Sequence, residues 1–404
     1  MPDSLRVALL TYSTKPRGSV IHTLELARAL HQLGHRPCVF ALDKDGQGFG
    51  RTLPFEVCSV PAAPCEGGID ALIQQRIREF VAFLAPLGDA FDIFHSQDCI
   101  GANALAELRQ GGQIRHFVRT IHHVEAFTSP YLQDCQDRSI LLPDCRLCVS
   151  QHWQTTLAQT YGVQSQRVFN GVDTARFTAV PDGSEAKLAA AWGLVDGPIY
   201  LTIGGIEPRK NSIRLLQAFS QVLNTRPQAK LVIAGGATLF DYEPYRREFF
   251  ATAGDLGIEV GKSLCLPGVI ADRDLPALYR LADAFVFPSV KEGWGLVVLE
   301  AMASGLPVVT SDQAPFTEFL TSADALLVNP ESVDAIAQVM LQILSPDHRQ
   351  RLVSNGQAVA RRFTWRGSAQ RHLHYYRQLL SRQMPSSQTP SNQPLFTRDH
   401  HTHA

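Results

Sequence analysis

Short apolar runs rich in β-branched residues alternate with segments of helical period almost from the first residue, and this alternation constrains the fold more than any other feature. The runs LRVALL, PCVFALD, FDIFHS, HFVRTIHH and RLCVS are separated by VIHTLELARALHQLG, IDALIQQRIREFVAFLA, a helix read over Ala102–Leu108 and another after Gln151. Strands that are apolar throughout and joined by helices form a parallel sheet covered on both faces. The pattern breaks at TAVPDGSEAKLAAAWGLVDGP, where the interdomain linker is placed. It restarts after Pro198 with IYLTIGG, a helix over about Ser212–Val222, AKLVIAGG, a helix around Tyr245–Ala253, SLCLPG, ADAFVFPS, GLVVLEAMASG and LPVVTSD. The expected fold is α/β, with two Rossmann-like doubly wound domains facing across a cleft, because such sheets bind ligands beyond the carboxyl ends of their strands. The boundaries read as 1–180 for the first domain, 181–364 for the second, 365–383 for a last helix that packs back on the first, and 384–404 for a Pro, Ser and Gln-rich tail expected to be disordered.

Charge narrows the class of partner. Among 404 residues, 37 Lys and Arg face 38 Asp and Glu, a formal net charge of −1, and neither half is basic. A nucleic-acid face or a polybasic lipid-binding segment needs concentrated positive charge, so the expectation is a small-molecule partner, no nucleic acid and at most peripheral membrane contact. The apolar run Val7–Leu10 is too short for a signal-peptide core, and no stretch approaches the roughly 18 apolar residues of a spanning helix. Eight cysteines without a secretion signal read as reduced thiols, so the expected location is cytoplasmic.

The most informative segment is FPSVKEGWGLVVLEAMASGLPVVTSD, read as strand, glycine loop and helix. Gly293 and Gly295 allow backbone N–H groups and a positive helix end to approach an anion without an intervening side chain. Glu292 lies on the loop and Glu300 eight residues later, between Leu299 and Ala301. A carboxylate there is either a ligand-binding group or an acid on the helix surface or in an internal ion pair. Competing motifs are weaker. Asp43-Lys44-Asp45 reads as a solvated turn, and GQGFG opens no helix in the dinucleotide-binding manner. Cys135, Cys145, Cys148 and His152 are disfavoured as a zinc site because Cys148 falls in an apolar strand, so no metal is expected.

EGWGLVVLEAMASGLPVVTS closely resembles the E-x7-E segment of nucleotide-sugar-dependent, retaining glycosyltransferases of the GT-B type, the glycogen-synthase-like family four. Further pieces resemble that family in its order: RGSVIHTLELARALHQLGH, TIHH, YGVQSQRVFNGVDTARF, IGGIEPRKNSIRLLQAF, LVIAGG, LPALYRLADAFVFPS and RFTWRGSAQRHLHYYRQLL. The resemblance implies a sugar moved from a UDP-, GDP- or ADP-sugar to an unidentified acceptor, with no cofactor; a non-catalytic nucleotide-sugar-binding protein is the alternative. It assigns the acceptor to the first domain and the donor to the second.

By the same resemblance, Glu300 would accept the ribose hydroxyls, with ligand hydroxyls rather than protein groups as its partners, and Glu292 would meet the transferred sugar. Gly293, Trp294, Gly295 and Leu296 would surround the phosphates and sugar, and Arg209 and Lys210, with the Gly204-Gly205 loop, would face the diphosphate. Gly18 would approach the donor from the first domain, and His122 would reach the donor sugar or the acceptor. Two departures stand out. Gly205 replaces an arginine that is common in the family, and QAPFTE, ending at Glu318, replaces a glycine-rich segment.

Overall fold

In the computed structural model, which describes residues 4–194, 196–236 and 242–381, the apolar runs become strands because both of their faces are covered. Positions 7–11 of Arg6–Thr11 (β1) and 37–43 of Arg36–Asp43 (β2) are all buried. Glu56–Pro61 (β3), Ile93–Ser96 (β4), Val118–Ile121 (β5), Cys145–Cys148 (β6) and Gln166–Arg167 (β7) complete a parallel sheet ordered β3-β2-β1-β4-β5-β6-β7. The second sheet is built from Ile199–Ile203 (β8), Lys230–Ala234 (β9), Leu264–Gly268 (β10), Ala284–Phe287 (β11), Val308–Ser311 (β12) and Leu326–Val328 (β13). Its order is β10-β9-β8-β11-β12-β13, again parallel. The order reverses between β1 and β4 in one sheet and between β8 and β11 in the other, and the loops that follow these strands lead into the crevice. The expected two-domain α/β architecture is therefore present.

Each sheet carries apolar packing on both faces. In the first domain, Leu5, Val7, Leu9 and Leu24 pack with Trp365, Leu373, Tyr376 and Leu379 of the last helix, Trp365–Ser381. In the second, Phe285, Phe287, Val298 and Met302 share one core with Ile121, Cys148 and Trp153 of the first. The chain crosses between the domains at two adjacent places. Val172 N donates to Phe363 O at 3.0 Å, and Gly171 lies so close to the return crossing that a Cβ there would stand 2.2 Å from Trp365 N.

Two expectations need adjustment. The segment read as linker contains a helix, Glu185–Trp192, because EAKLAAAW is rich in good helix formers and Gly193 closes it at φ 64°. That helix is tied to the second domain by Arg280, which pairs with Glu185 and, at 2.6 Å, with Asp182. Asp43 is buried rather than solvated: its Oδ2 accepts from Gly48 N at 2.8 Å and Ser59 Oγ at 3.1 Å, pinning the turn to β3. The tail at 384–404 lies outside the described residues.

Tyr376 is fully buried and its hydroxyl lies 2.6 Å from His95 Nδ1, so Tyr376→Ala both empties a large volume and strands a polar group. The substitution is expected to destabilise the protein by about 3–5 kcal/mol in urea unfolding. A loss below about 1 kcal/mol would show that the last helix is not docked on β4.

Candidate active site

Two loops of the second sheet build the floor of the cleft. After β8 the chain turns through Gly204 (φ 135°) and Gly205 (φ 77°), whose N–H groups both donate to Ala234 O at 2.8 and 3.1 Å. The short 3-10 turn Pro208–Lys210 then brings Arg209 and Lys210 back over the strand end. A Cβ on Gly204 would lie 2.6 Å from Lys210 Cε, so only glycine leaves the lysine its path. Asn211, itself at φ 61°, donates through Nδ2 to Pro288 O at 3.1 Å and Pro330 O at 2.6 Å. That side chain ties this loop to the one after β11.

The β11 loop supplies Glu292. Its Oε1 lies 2.6 Å from Lys210 Nζ, 3.2 Å from Arg209 Nη1 and 2.9 Å from Ser289 Oγ. Burial pushes this carboxyl up, but Lys210 and Arg209 more than offset it and the group sits below the ordinary carboxylate range. Burial and then Arg209 bring the Lys210 ammonium down to about 8 despite Glu292; Nζ also lies 4.4 Å from the centre of the Phe287 ring. Arg209 Nε is 2.9 Å from the buried Glu207, which Arg17 approaches from the first domain at 3.9 Å.

The helix Leu296–Ala303 follows Gly295, whose φ of 102° and contact with Phe316 exclude a side chain. It carries Glu300, whose Oε2 accepts from Tyr279 OH at 2.8 Å. The expectation that Glu300 has no protein partner is thus corrected: Tyr279 already donates to it. Burial raises this carboxyl to about 7; Tyr279 and Arg176 pull it down, while Glu25 and Asp272 push it up.

The first domain closes over this floor. Trp153 Nε1 donates to Glu292 O at 2.9 Å, and a Cβ on Gly293 would stand 2.5 Å from His122 O. His122 Nε2 lies 3.1 Å from Gln97 Oε1, with the His22 ring edge-on at 4.8 Å between centroids. Burial, then His22 and Arg119, keep His122 well below the ordinary histidine range, so it is neutral at physiological pH. Lys291 meets Glu125 at 3.1 Å, and His123 meets it at 2.9 Å; despite burial these two hold Glu125 down at about 2. Asp272 joins Arg51 at 2.9 Å and Arg176 at 2.8 Å. Glu318 caps a helix of the other domain, accepting from Gln151 N and His152 N at 2.7 Å each.

The resulting cleft has a volume of about 660 Å³ and is lined by Gly18, His122, Gly204, Arg209, Lys210, Glu292, Gly293, Trp294, Gly295, Leu296 and Glu300. Gly205 is not among the lining residues; it packs behind Gly204 against Gly236. The Trp294 ring is 5% exposed and stacks on Phe319 at 4.8 Å. Sequence reasoning missed Glu207, Tyr279, Arg51, Arg176 and Asp272. It also missed Arg119, which lines the cleft and carries the one visible signal, a charge inside an apolar strand in HFVRTIHH. Among the described residues, metal-ligand atoms gather at Cys38, Glu56 and Cys58, not at the Cys145-x-x-Cys148 pair.

Comparisons with known proteins agree with this architecture. Residues 16–176 match the family described as Glycosyltransferase Family 4, and residues 186–359 match Glycosyl transferases group 1. The chain is 29% identical over 280 residues to the O-antigen chain mannosyltransferase B of Escherichia coli, covering 66% of this chain and 71% of that one. It is also 29% identical over 413 residues to a D-inositol 3-phosphate glycosyltransferase of Xylanimonas cellulosilytica, covering 93% of this chain and 97% of the relative. Among solved structures, Anabaena HepE in complex with UDP and glucose superposes with a TM-score of 0.77 at 21% identity, over 92% of this chain and 99% of that one.

The backbone at Gly205 predicts the outcome of restoring an arginine there. A Cβ would meet Gly236 O at 2.9 Å in a left-handed conformation. Gly205→Ala is expected to destabilise by about 1–2 kcal/mol and Gly205→Arg by at least as much. A Gly205→Arg protein with parental thermal stability would show that the corner is not held in this conformation.

Proposed function

The chain belongs to the group 1 glycosyltransferases of the GT-B fold, and from that premise we propose that it transfers a sugar from a nucleotide diphosphate donor with retention of anomeric configuration and without a metal ion. One juxtaposition supports this reading most: Lys210 and Arg209 converge on Glu292 at the floor of a cleft whose opposite wall carries His122.

In the free protein, Glu292 occupies both cations. An incoming diphosphate offers them more negative charge, and Glu292 is then released to accept hydroxyls of the transferred sugar. Cleavage of the sugar–phosphate bond places charge on the departing diphosphate, where Lys210, Arg209 and the amides of Gly293–Leu296 stabilise it. No carboxylate acts as nucleophile; the leaving phosphate takes the acceptor proton on the same face of the sugar. His122 serves as a neutral hydrogen-bonding group, and Glu300, once ionised, accepts the ribose hydroxyls. Closure of the domains excludes water, so that transfer outruns hydrolysis. UDP and glucose in the HepE complex and the mannosyltransferase relative motivate a donor panel of UDP-glucose, GDP-mannose and ADP-glucose. The alternative of a non-catalytic nucleotide-sugar binder is not favoured, because the relatives are named transferases.

Nucleoside diphosphate release from this panel, with NMR of the product linkage, tests the reaction. Turnover is expected to persist in excess EDTA with retained configuration, and Lys210→Ala is expected to lower it about a hundredfold or more. Loss of turnover in EDTA restored by Mn²⁺, an inverted product, or near-parental turnover of Lys210→Ala each sinks the corresponding part of the reading.

Glu300 also predicts a pH dependence. Its folded-state carboxyl titrates near 7, so it is neutral below and ionised above that pH, and a group that accepts two hydroxyls works in the ionised form. Nucleotide affinity is expected to rise up to about tenfold between about pH 6 and pH 8, and Glu300→Gln is expected to flatten that rise. Parallel pH profiles for parent and variant by calorimetry would remove Glu300 from nucleotide recognition.

A further inference from the structure

One buried cation of the cleft has no part in the donor chemistry. Arg119 lies in β5, is 4% exposed and lines the cleft in the same wall as Gln97 and His122. The other lysine and arginine side chains lining the cleft are ion-paired: Arg51 and Arg176 with Asp272, Arg17 and Arg209 with Glu207, Lys210 with Glu292. Arg119 forms no ion pair among the described residues. It donates through Nη1 to the carbonyl of Thr120, and its Nε has no hydrogen-bond partner.

A guanidinium removed from water and left without a carboxylate is unfavourable, and an oxyanion reaching it from the cleft would offset that cost. Asp98 feels the charge of Arg119 but makes no ion pair with it: its Oδ1 caps the helix Cys99–Gln110 by accepting from Gly101 N at 2.8 Å, its Oδ2 is buried without a hydrogen-bond partner, and burial raises the carboxyl, which weakens it as a counter-charge. His95 and His122, which also feel Arg119, are kept neutral by burial and bring no counter-charge. The planar fork of an arginine matches the two oxygens of a carboxylate or phosphate.

We propose that Arg119 receives an oxyanion carried by the acceptor, a phosphate or a carboxylate, so that this enzyme glycosylates an anionic acceptor. The proposal rests on reading the cleft as a glycosyltransferase site with the donor held by the second domain.

Saturation-transfer NMR with glucose 6-phosphate, glucuronate and glucose as probes, each measured without nucleotide and again with saturating UDP or GDP, tests it. The parent is expected to bind at least one charged probe about tenfold or more tightly than glucose, and the stronger of the two identifies phosphate or carboxylate. Arg119→Gln is expected to bring that probe to within about twofold of glucose, and Arg119→Lys, which keeps the charge but loses the fork, to leave an intermediate preference. Should Arg119→Gln fail to fold by circular dichroism, the Lys variant alone is decisive, because an undiminished preference there overturns the proposal. No preference in the parent, or a preference that survives in Arg119→Gln, also overturns it. The donor reading fails separately, when the parent releases no nucleoside diphosphate from any sugar nucleotide.

Discussion

The carboxylate of Glu292, drawn out of water and held by Lys210 and Arg209, is the interaction on which the rest of the site depends. A largely buried acid and a largely buried lysine are tolerable only when they meet at hydrogen-bonding distance, with the part-exposed Arg209 beside them, because the attraction must offset a large loss of hydration. The surrounding backbone is shaped to allow it. Gly204 has no side chain because Lys210 runs through the space, and Gly293 has none because the His122 carbonyl presses against it from the other domain. Asn211 and Ser289 then lock the two loops together, Asn211 through the carbonyls of Pro288 and Pro330 and Ser289 beside the carbonyl of Arg209 and the carboxylate itself. The loops after β8 and β11 thus form one polar unit.

Contacts across the cleft are numerous and individually modest. Lys291 with Glu125 and Asp272 with Arg51 are partly exposed ion pairs, of a kind worth on the order of 0–1 kcal/mol each. Glu318 caps a helix it does not belong to, and Trp153 reaches the carbonyl of Glu292. These polar contacts ring the charged centre beside the apolar core that Ile121, Cys148 and Trp153 share with the second domain.

Much of this was legible in the chain before its coordinates. Apolar, β-branched runs are strands wherever both faces are covered, so the central strands of both sheets could be read directly, whereas the edge strands Glu56–Pro61 and Leu326–Val328, part-exposed or only three residues long, could not. The glycine loop before Leu296 and the acids at 292 and 300 could be placed on a loop and a helix by spacing. Resemblance supplied roles for Arg209, Lys210 and His122. What could not be read was pairing between distant segments. Nothing in GQGFGR announces that Arg51 will meet Asp272, 221 positions away, and nothing in LPALYRL marks Tyr279 as the donor to Glu300. Trp294 sits in the motif yet its ring faces Phe319, since a motif records positions and not side-chain directions. The helix 185–192 was hidden by Pro, Asp and Gly on either side, which resemble a linker by composition alone.

The two crossings between the domains abut at Gly171 and Trp365, where a bond from Val172 to Phe363 joins them. Two parallel tethers fixed side by side behave as the pin of a door. A single tether would let one domain swivel or twist freely, whereas a doubled one permits rotation about one axis and resists sliding along it. Any rotation about that axis returns the β8 and β11 loops to the same register against His122, and positional fidelity at the cleft becomes a property of its far edge.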